Sequence, residues 1–184
     1  LLTVPFSGSL ERVVTKFIPQ ERDSLDEIPA HYRSVLNHNL LDDMDLAIAS
    51  IRREVQRMLL LTEEMMLPIM DLFQKYDKTR MKKIVKKDLI INEALNGTRR
   101  YVAELSGITG VKSGSSAQRK ELSNLLEFAI AIEAAGDVIS KTLSNLAANK
   151  DRNSIHFSSE GFTELKIMHD KVIANISLAG NVRS

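Results

Sequence analysis

The sequence contains no cysteine, and this absence excludes several kinds of site. Disulfide bonds, thiolate zinc sites and cysteine nucleophiles all need that residue. A chain without cysteine also fits a reducing, cytosolic setting. Tryptophan is absent as well, and the 184 residues include only 4 prolines and 8 glycines. Because Ala, Leu, Ile, Met, Glu and Lys dominate instead, the composition favours an all-α fold.

An excess of charge of one sign is also missing, since the net charge is only +1. This balance argues against a dedicated nucleic-acid binder, whose affinity depends on neutralising phosphates. Hydrophobic residues make up 43% of the chain, which is enough for one domain with a sizeable core. No uncharged apolar run reaches the length of about 18 residues that a membrane span needs, so the sequence predicts no such span.

The first 41 residues form the least regular part of the chain. Prolines and a glycine interrupt it at Pro5, Gly8, Pro19 and Pro29. We expect a short amphipathic helix over 9–18 and a short helix or turn near 30–38. The sequence therefore predicts an N-terminal arm or linker over 1–41 and a helical bundle over 42–184. Because the first residue is Leu, we expect a fragment or a processed product.

Four long amphipathic segments follow, each with the apolar spacing of a helix. The first covers 43–76, and Pro68 is expected to kink or split it. The second starts near 76–80 and should stop before the glycines at 107–110. Short connections and the lack of a strand pattern predict an antiparallel bundle of three to four long helices.

Serine residues mark the starts of the last two segments. Ser115 or Ser116 can cap the third helix, which should end near 149–153. The fourth helix follows "FSSEG", where Ser158 or Ser159 can act as the cap.

Two carboxylates stand out in the apolar run of the third helix. Glu133 and Asp137 are one turn apart and share a face. Gly136 beside them allows another backbone or a ligand to approach closely. Burial of two like charges is costly, so a proton, a Lys or Arg, or a metal ion should offset it. Asp88 lies on the inward stripe of the second helix, and facing helices with carboxylates are how bundles build metal sites. On spacing alone, the favoured interpretation is surface charge or a salt bridge.

The stretch "IEAAGDVIS", residues 132–140, resembles the E-R-I-G-D stretch of PhoU-domain proteins. The longer segments "NLLEFAIAIEAAGDVISKTLSNLA" and "KDLIINEALNGTRRYVAELSG" are similar to the third and second helices of that family. "IHFSSEGFTELKIMHDKVIANISLA" is similar to the next helix in one subgroup, the C-terminal cytoplasmic domain of bacterial sodium/phosphate cotransporters. "VPFSGSLERVVTKFIP", residues 4–19, resembles the junction with the membrane part there.

The resemblance implies a PhoU-like regulatory domain of a sodium-dependent inorganic phosphate transporter, at the cytoplasmic face of a bacterial cell membrane. Such a domain would regulate phosphate uptake by binding metal, phosphate or a partner, without being an enzyme. Its implied partner is the transmembrane part of a transporter, in the same polypeptide; a homo-oligomer is left open, and the phosphate-binding residues are unassigned. The alternative is a ligand-free structural or interaction bundle.

The resemblance also implies metal ligands, because some family members bind multinuclear iron or zinc clusters through Glu/Asp-x-x-x-Asp motifs. Glu133 and Asp137 match that motif, and Asp88 and Asn92 fall on the motif of the second helix. Asn92 replaces an expected Asp, and Ala134 replaces the Arg of E-R-I-G-D. These differences favour a single weak site, or none, over a full cluster of iron or zinc.

Two further signals have simpler interpretations. His169 lies on the apolar stripe of the fourth helix, where a hydrogen-bonded core residue is more common than a ligand. No histidine has Glu three residues before it, which argues against a ferritin-like di-iron enzyme. The basic run "KTRMKKIVKK", residues 78–87, could attract an anionic membrane surface, but a solvated helix face is favoured.

Overall fold

The computed structural model describes residues 32–109 and 114–181. The predicted arm helix at 9–18 and the junction-like segment lie outside these residues, as do the first two positions of the turn expected near 30–38. The described remainder, 32–38, contains no α-helix: a bend at Arg33 and irregular backbone lead to a 3-10 turn that begins at His38. The chain divides into two compact units, Leu1–Arg33 and Ser34–Ser184. The predicted boundary after residue 41 stays a prediction.

The described part of the chain is helical and contains no strand, as predicted. A short 3-10 turn, His38–Leu40, precedes the first long helix. The elements that follow are α1 (Met44–Met66), α2 (Ile69–Gln74), α3 (Lys78–Thr109), α4 (Ser116–Asp137), a π-helical segment (Val138–Leu143), α5 (Ser144–Arg152) and α6 (Ser159–Asn181). The π-helical segment joins α4 to α5 without a loop, so these three form one long rod.

Caps and breaks follow the sequence signals closely. Asp43 caps α1 by accepting hydrogen bonds from two backbone N–H groups of the first turn. Ser115 forms a capping box with Gln118 at the start of α4. Ser158 Oγ accepts a hydrogen bond from Gly161 N at the start of α6. The predicted split at Pro68 is confirmed, because α1 ends at Met66 and α2 begins at Ile69.

One helix end differs from its prediction. We expected the second long helix to stop before Gly107, and this is wrong, because α3 continues to Thr109. Gly107 is exposed and has no non-local neighbour within 4 Å of an added Cβ atom. The helix therefore continues past it on backbone hydrogen bonds, and glycine there costs only about 1 kcal/mol relative to Ala.

Side-chain contacts establish the direction of each long helix. Lys87, near the start of α3, pairs with Glu64, near the end of α1. Gly136, at the end of α4, lies beside Asp88, near the start of α3. His169 of α6 contacts Met66, while Gly180 lies near Leu59 further back in α1. Each successive long helix thus reverses direction, which confirms the antiparallel bundle.

The core is centred on α1, which contacts α3, α4 and α6. Its inward face is closed to solvent at Ile51, Met58, Leu61 and Met65. The inward stripe of α3 adds Ile84, Asp88, Ile91, Leu95, Thr98, Tyr101 and Leu105. Asp88 is therefore held among apolar neighbours at the end of the bundle where α1 and α4 terminate.

Candidate functional site

Asp88 of α3 lies against the end of α4 beside the π-helical segment, close enough to Asp137 for the two carboxylates to interact. Asp88 is only 5% exposed. A Cβ atom placed on Gly136 would lie 3.3 Å from Asp88 Oδ1, tighter than most real contacts. Gly136 therefore lets the buried carboxylate approach α4 closely, which is the role the sequence suggested for this glycine.

The Asp88 carboxylate is poorly compensated. Its Oδ1 atom is buried and has no hydrogen-bond partner among the described residues. Burial raises the pKa of Asp88, and the charge of Asp137 raises it further, although the Ser140 hydroxyl and Lys141 act in the opposite direction. A buried acceptor without a partner is rare in native proteins and calls for an explanation.

Asp137 has a counter-charge of its own. Its Oδ1 atom lies 2.5 Å from Lys141 Nζ, one turn further along. That oxygen accepts no well-aligned hydrogen bond from the described residues, so its compensation is this ion pair. The close contact with Asp137 raises the pKa of the Lys141 ammonium, and the charges of Asp88 and Glu133 add to the shift. A lysine is one of the three compensating groups that the sequence predicted.

The other two predicted ligands are not drawn into the same pair. Asn92 Nδ2 donates a hydrogen bond to the backbone oxygen of Asp88, 3.1 Å away. Glu133 is half-buried one turn before Asp137. Over residues 32–109 and 114–181, no three His, Cys, Asp or Glu side chains come together in a group that could hold a metal ion. Of the four predicted ligands, Asp88 and Asp137 therefore come close together, whereas Asn92 and Glu133 do not join them. Metal binding by these four residues stays a prediction.

The donor atoms of the pair suit one kind of ion. Asp88 and Asp137 offer carboxylate oxygens, and the Ser140 hydroxyl lies nearby, where it donates a 3.4 Å hydrogen bond to Asp137 O. Oxygen ligands suit a hard divalent cation that keeps several waters, as magnesium does. Structural zinc sites favour nitrogen and sulfur ligands, which this pair lacks. The residues present therefore fit a single hydrated cation better than a multinuclear cluster.

The π-helical segment begins directly after Asp137. Its wider turn leaves backbone carbonyls to be satisfied, and Ser144 Oγ donates a 2.8 Å hydrogen bond to Ile139 O. Single π-helical turns within α-helices are frequent at functional sites. Sequence periodicity did not indicate this feature, since the apolar spacing continues through it.

The bundle contains a second buried charge group that the sequence pattern did not predict. Glu54 of α1 is fully buried, and its carboxylate pairs with Arg57, whose Nη2 lies 2.5 Å from Oε1. Oε2 accepts hydrogen bonds from Arg57 Nε at 3.2 Å and from Val35 N at 2.8 Å. Both carboxylate oxygens are thus satisfied. The available signal was an acidic residue on the inward stripe of α1 with an arginine three positions later.

His169 is a core residue, which confirms the favoured interpretation. It is 8% exposed, and its Nε2 donates a hydrogen bond to Met66 O, 2.9 Å away. This contact ties α6 to the end of α1. The basic run of α3 is mostly exposed, with Lys87 paired to Glu64 at 2.8 Å.

An apolar groove of about 490 Å³ runs beside the acid pair. The ends of α1 and α2, the π-helical segment and α6 form its walls, with Phe73, Val138, Ile139, Leu143 and Met168 among the lining side chains. Val138 and Met168 are more than half exposed. Residues that directly follow Asp137 therefore form one wall of this groove.

None of the helices in the described ranges is both long enough and apolar enough to cross a membrane. No family model and no solved structure matches the chain. The chain is 26% identical over 185 aligned residues to a Salmonella typhimurium protein named "Putative inorganic phosphate export protein YjbB". The alignment covers 99% of this chain but 32% of that protein. The chain thus spans about a third of the length of this relative, and the similarity relates it to a protein of phosphate transport.

Proposed function

We propose that this helical bundle regulates an inorganic phosphate transporter and so contributes to phosphate homeostasis. The observation that carries the proposal is the similarity along nearly the whole chain to the YjbB protein, whose name describes phosphate export. The helical architecture and the carboxylate pair between α3 and the end of α4 agree with the PhoU-like resemblance of the sequence. The expected role is regulatory and not catalytic.

The proposed partner is the transmembrane part of such a transporter, and the proposed location is the cytoplasmic face of a bacterial membrane. Sodium dependence belongs to the same proposal and rests on the resemblance alone. The sequence resemblance implied phosphate uptake, whereas the name of the relative describes export. The regulatory proposal applies to either direction of flux.

Cation binding at Asp88 and Asp137 is the proposed input. An ion shared by the two carboxylates would join α3 to α4, because each carboxylate belongs to one of these helices. Val138 and Ile139, which form part of the groove wall, are the two residues that come directly after Asp137 in the sequence. Ion occupancy could thereby bias how this face docks on a membrane partner, since a ligand shifts the population of the state that it binds better.

The decisive test is phosphate flux in the source cell. Cells lacking this protein should show altered entry or exit of radiolabelled phosphate, and the parent sequence should restore the original flux. An Asp88→Asn/Asp137→Asn variant, present at the same level and still helical, should not restore it. Unchanged phosphate flux in the deletion strain would contradict the proposed function.

A ligand-free interaction bundle is the second candidate. The observation that favours it is the Asp137–Lys141 ion pair, which already supplies a positive charge to the acid pair. In that case chelators and added cations would leave stability and flux unchanged. The Asp88→Asn/Asp137→Asn variant would then restore phosphate flux as well as the parent does.

A further inference from the structure

Lys141 occupies an unusual place beside the acid pair. It lies in the π-helical segment, one turn after Asp137, and its side chain is 65% exposed. Its charge acts on Asp137, Asp88 and Glu133 together. Lys141 is thus an exposed positive charge at the solvent side of a partly buried group of carboxylates.

The two carboxylates differ in what Lys141 gives them. The ammonium is in direct contact with Asp137 Oδ1, 2.5 Å away. Asp88 Oδ1, deeper in the bundle, has no hydrogen-bond partner among the described residues. The Lys141 ammonium therefore compensates the Asp137 carboxylate directly, while Asp88 Oδ1 is left without a hydrogen-bond partner among the described residues.

A divalent cation shared by Asp88 and Asp137 would have to replace the ammonium at Asp137. Exposed ion pairs are weak, because water competes for both charges and the lysine side chain gains freedom when it leaves. Lys141 can therefore move into solvent without disturbing the core. Its positive charge would nevertheless repel an arriving cation until it moves.

We propose that Lys141 is an internal competitor of the cation site, so that its ammonium and a hard divalent cation bind Asp137 in mutually exclusive states. The proposal rests on the cation site described under the proposed function. Lys141 then sets the cation concentration at which the site fills. It also keeps the acid pair partly neutralised when no cation is bound.

The competition also connects the site to the apolar groove. Lys141 belongs to the same six-residue π-helical segment as Val138, Ile139 and Leu143, which line that groove. Release of the lysine side chain from Asp137 removes a contact that spans the first turn of this segment. The groove wall is therefore expected to differ between the lysine-paired and the cation-bound states.

The test measures manganese(II) binding to the full 184-residue chain by calorimetry, with manganese as the hard-cation probe. Lys141→Met keeps an unbranched side chain but removes the charge, and Lys141→Arg keeps the charge. Lys166→Met is the control, because it makes the same change of net charge at an exposed lysine of α6. Circular dichroism checks that every variant keeps the helical content of the parent.

We expect Lys141→Met to bind manganese about tenfold more tightly than the parent, the effect of removing one unit charge at about 5 Å from a divalent ion in water. Lys141→Arg and Lys166→Met should bind like the parent. Equal binding by the parent, Lys141→Met and Lys166→Met would overturn the competitor role and leave the cation site standing. Absence of binding at millimolar manganese in the parent and in Lys141→Met would overturn both.

Discussion

The two buried charge groups of this bundle differ in how completely their charges are compensated. Glu54 is fully buried, yet Arg57 and the backbone N–H of Val35 satisfy both of its carboxylate oxygens. Asp88 is nearly as buried, but one of its oxygens lacks a partner among the described residues. A complete internal network indicates a structural role, whereas an incomplete one indicates a place where an ion could bind.

The surroundings of the two groups support this difference. Glu54 also holds the segment before α1, since its carboxylate accepts from Val35 N. Two neighbouring bonds hold the same segment: Asn37 N donates to Ser50 Oγ, and the Tyr101 hydroxyl donates to Asn37 O. The bonds to Glu54 are internal to the fold and use both oxygens of its carboxylate. The Asp88 group instead lies beside Gly136, the exposed ammonium of Lys141 and the π-helical segment.

The largest expected effect follows from breaking the complete network. Glu54→Gln should lower the free energy of unfolding by about 3–5 kcal/mol, because it leaves the buried Arg57 charge without its carboxylate partner. Urea denaturation measures this loss. The double variant Glu54→Leu/Arg57→Met should be close to neutral, because both charges disappear together. A loss no larger than that of Arg52→Ala, at the exposed Arg52–Glu121 pair, would show that Glu54 is not a structural charge.

Asp88 should respond in the opposite direction. In chelator at neutral pH, Asp88→Asn should raise the free energy of unfolding by about 1–3 kcal/mol, because a neutral amide replaces a buried carboxylate whose charge is only partly compensated. Chemical denaturation measures the gain. Asp42→Asn is the matched control, since it makes the same change at an exposed position and should stay within about 0.5 kcal/mol of the parent. Destabilisation by Asp88→Asn would mean that the carboxylate makes a favourable contact in the fold.

The stability gain from Asp88→Asn should also depend on pH in a definite direction. The pKa of Asp88 in the folded state is raised above the ordinary aspartate value of 3.8, chiefly by burial. As pH falls through the raised pKa, the folded state takes up a proton before the unfolded state does, so stability from this group increases. As pH is lowered from the raised pKa to 3.8, the difference in unfolding free energy between Asp88→Asn and the parent should therefore shrink. Below pH 3.8 this difference should level off. Denaturation of both proteins across this range tests it, and an advantage that grows on acidification would contradict it.

The smallest effect on stability is expected at Gly136. Alanine has a helix propensity about 1 kcal/mol more favourable than glycine, but its Cβ would approach Asp88 Oδ1 at 3.3 Å. The gain and the crowding should nearly cancel in Gly136→Ala, while manganese affinity should fall because the space beside Asp88 is filled. Gly107→Ala, which meets no such neighbour, should gain stability without a change in binding. Equal gains at both glycines would show that the approach of Asp88 to α4 is not tight.

Much of the fold could be predicted from the sequence because its signals are local. Apolar spacing predicted the helices, and Pro68, Ser115 and Ser158 marked breaks and starts that the structure confirms. The end of α3 could not be predicted from glycine alone, because backbone hydrogen bonds carry the helix through Gly107.

The candidate site was only partly predictable because compensation of a buried charge depends on three-dimensional neighbours. The inward position of Asp88 and the closeness of Gly136 followed from helical spacing. Spacing could not show that the side chain of Asn92 bonds to the backbone of its own helix, nor that Glu54 is buried. Nor could it indicate the π-helical turn that follows Asp137.

The central claim is that the Asp88–Asp137 pair can bind a cation that the Glu54 network cannot. The most direct measurement is the unfolding free energy of the full chain in chelator and in excess manganese(II), for the parent and for Asp88→Asn/Asp137→Asn. Binding to the folded state adds stability as the ratio of free cation to dissociation constant rises. The account predicts a gain in the parent and none in the double variant. An equal gain in both proteins, or no gain in the parent, would contradict it.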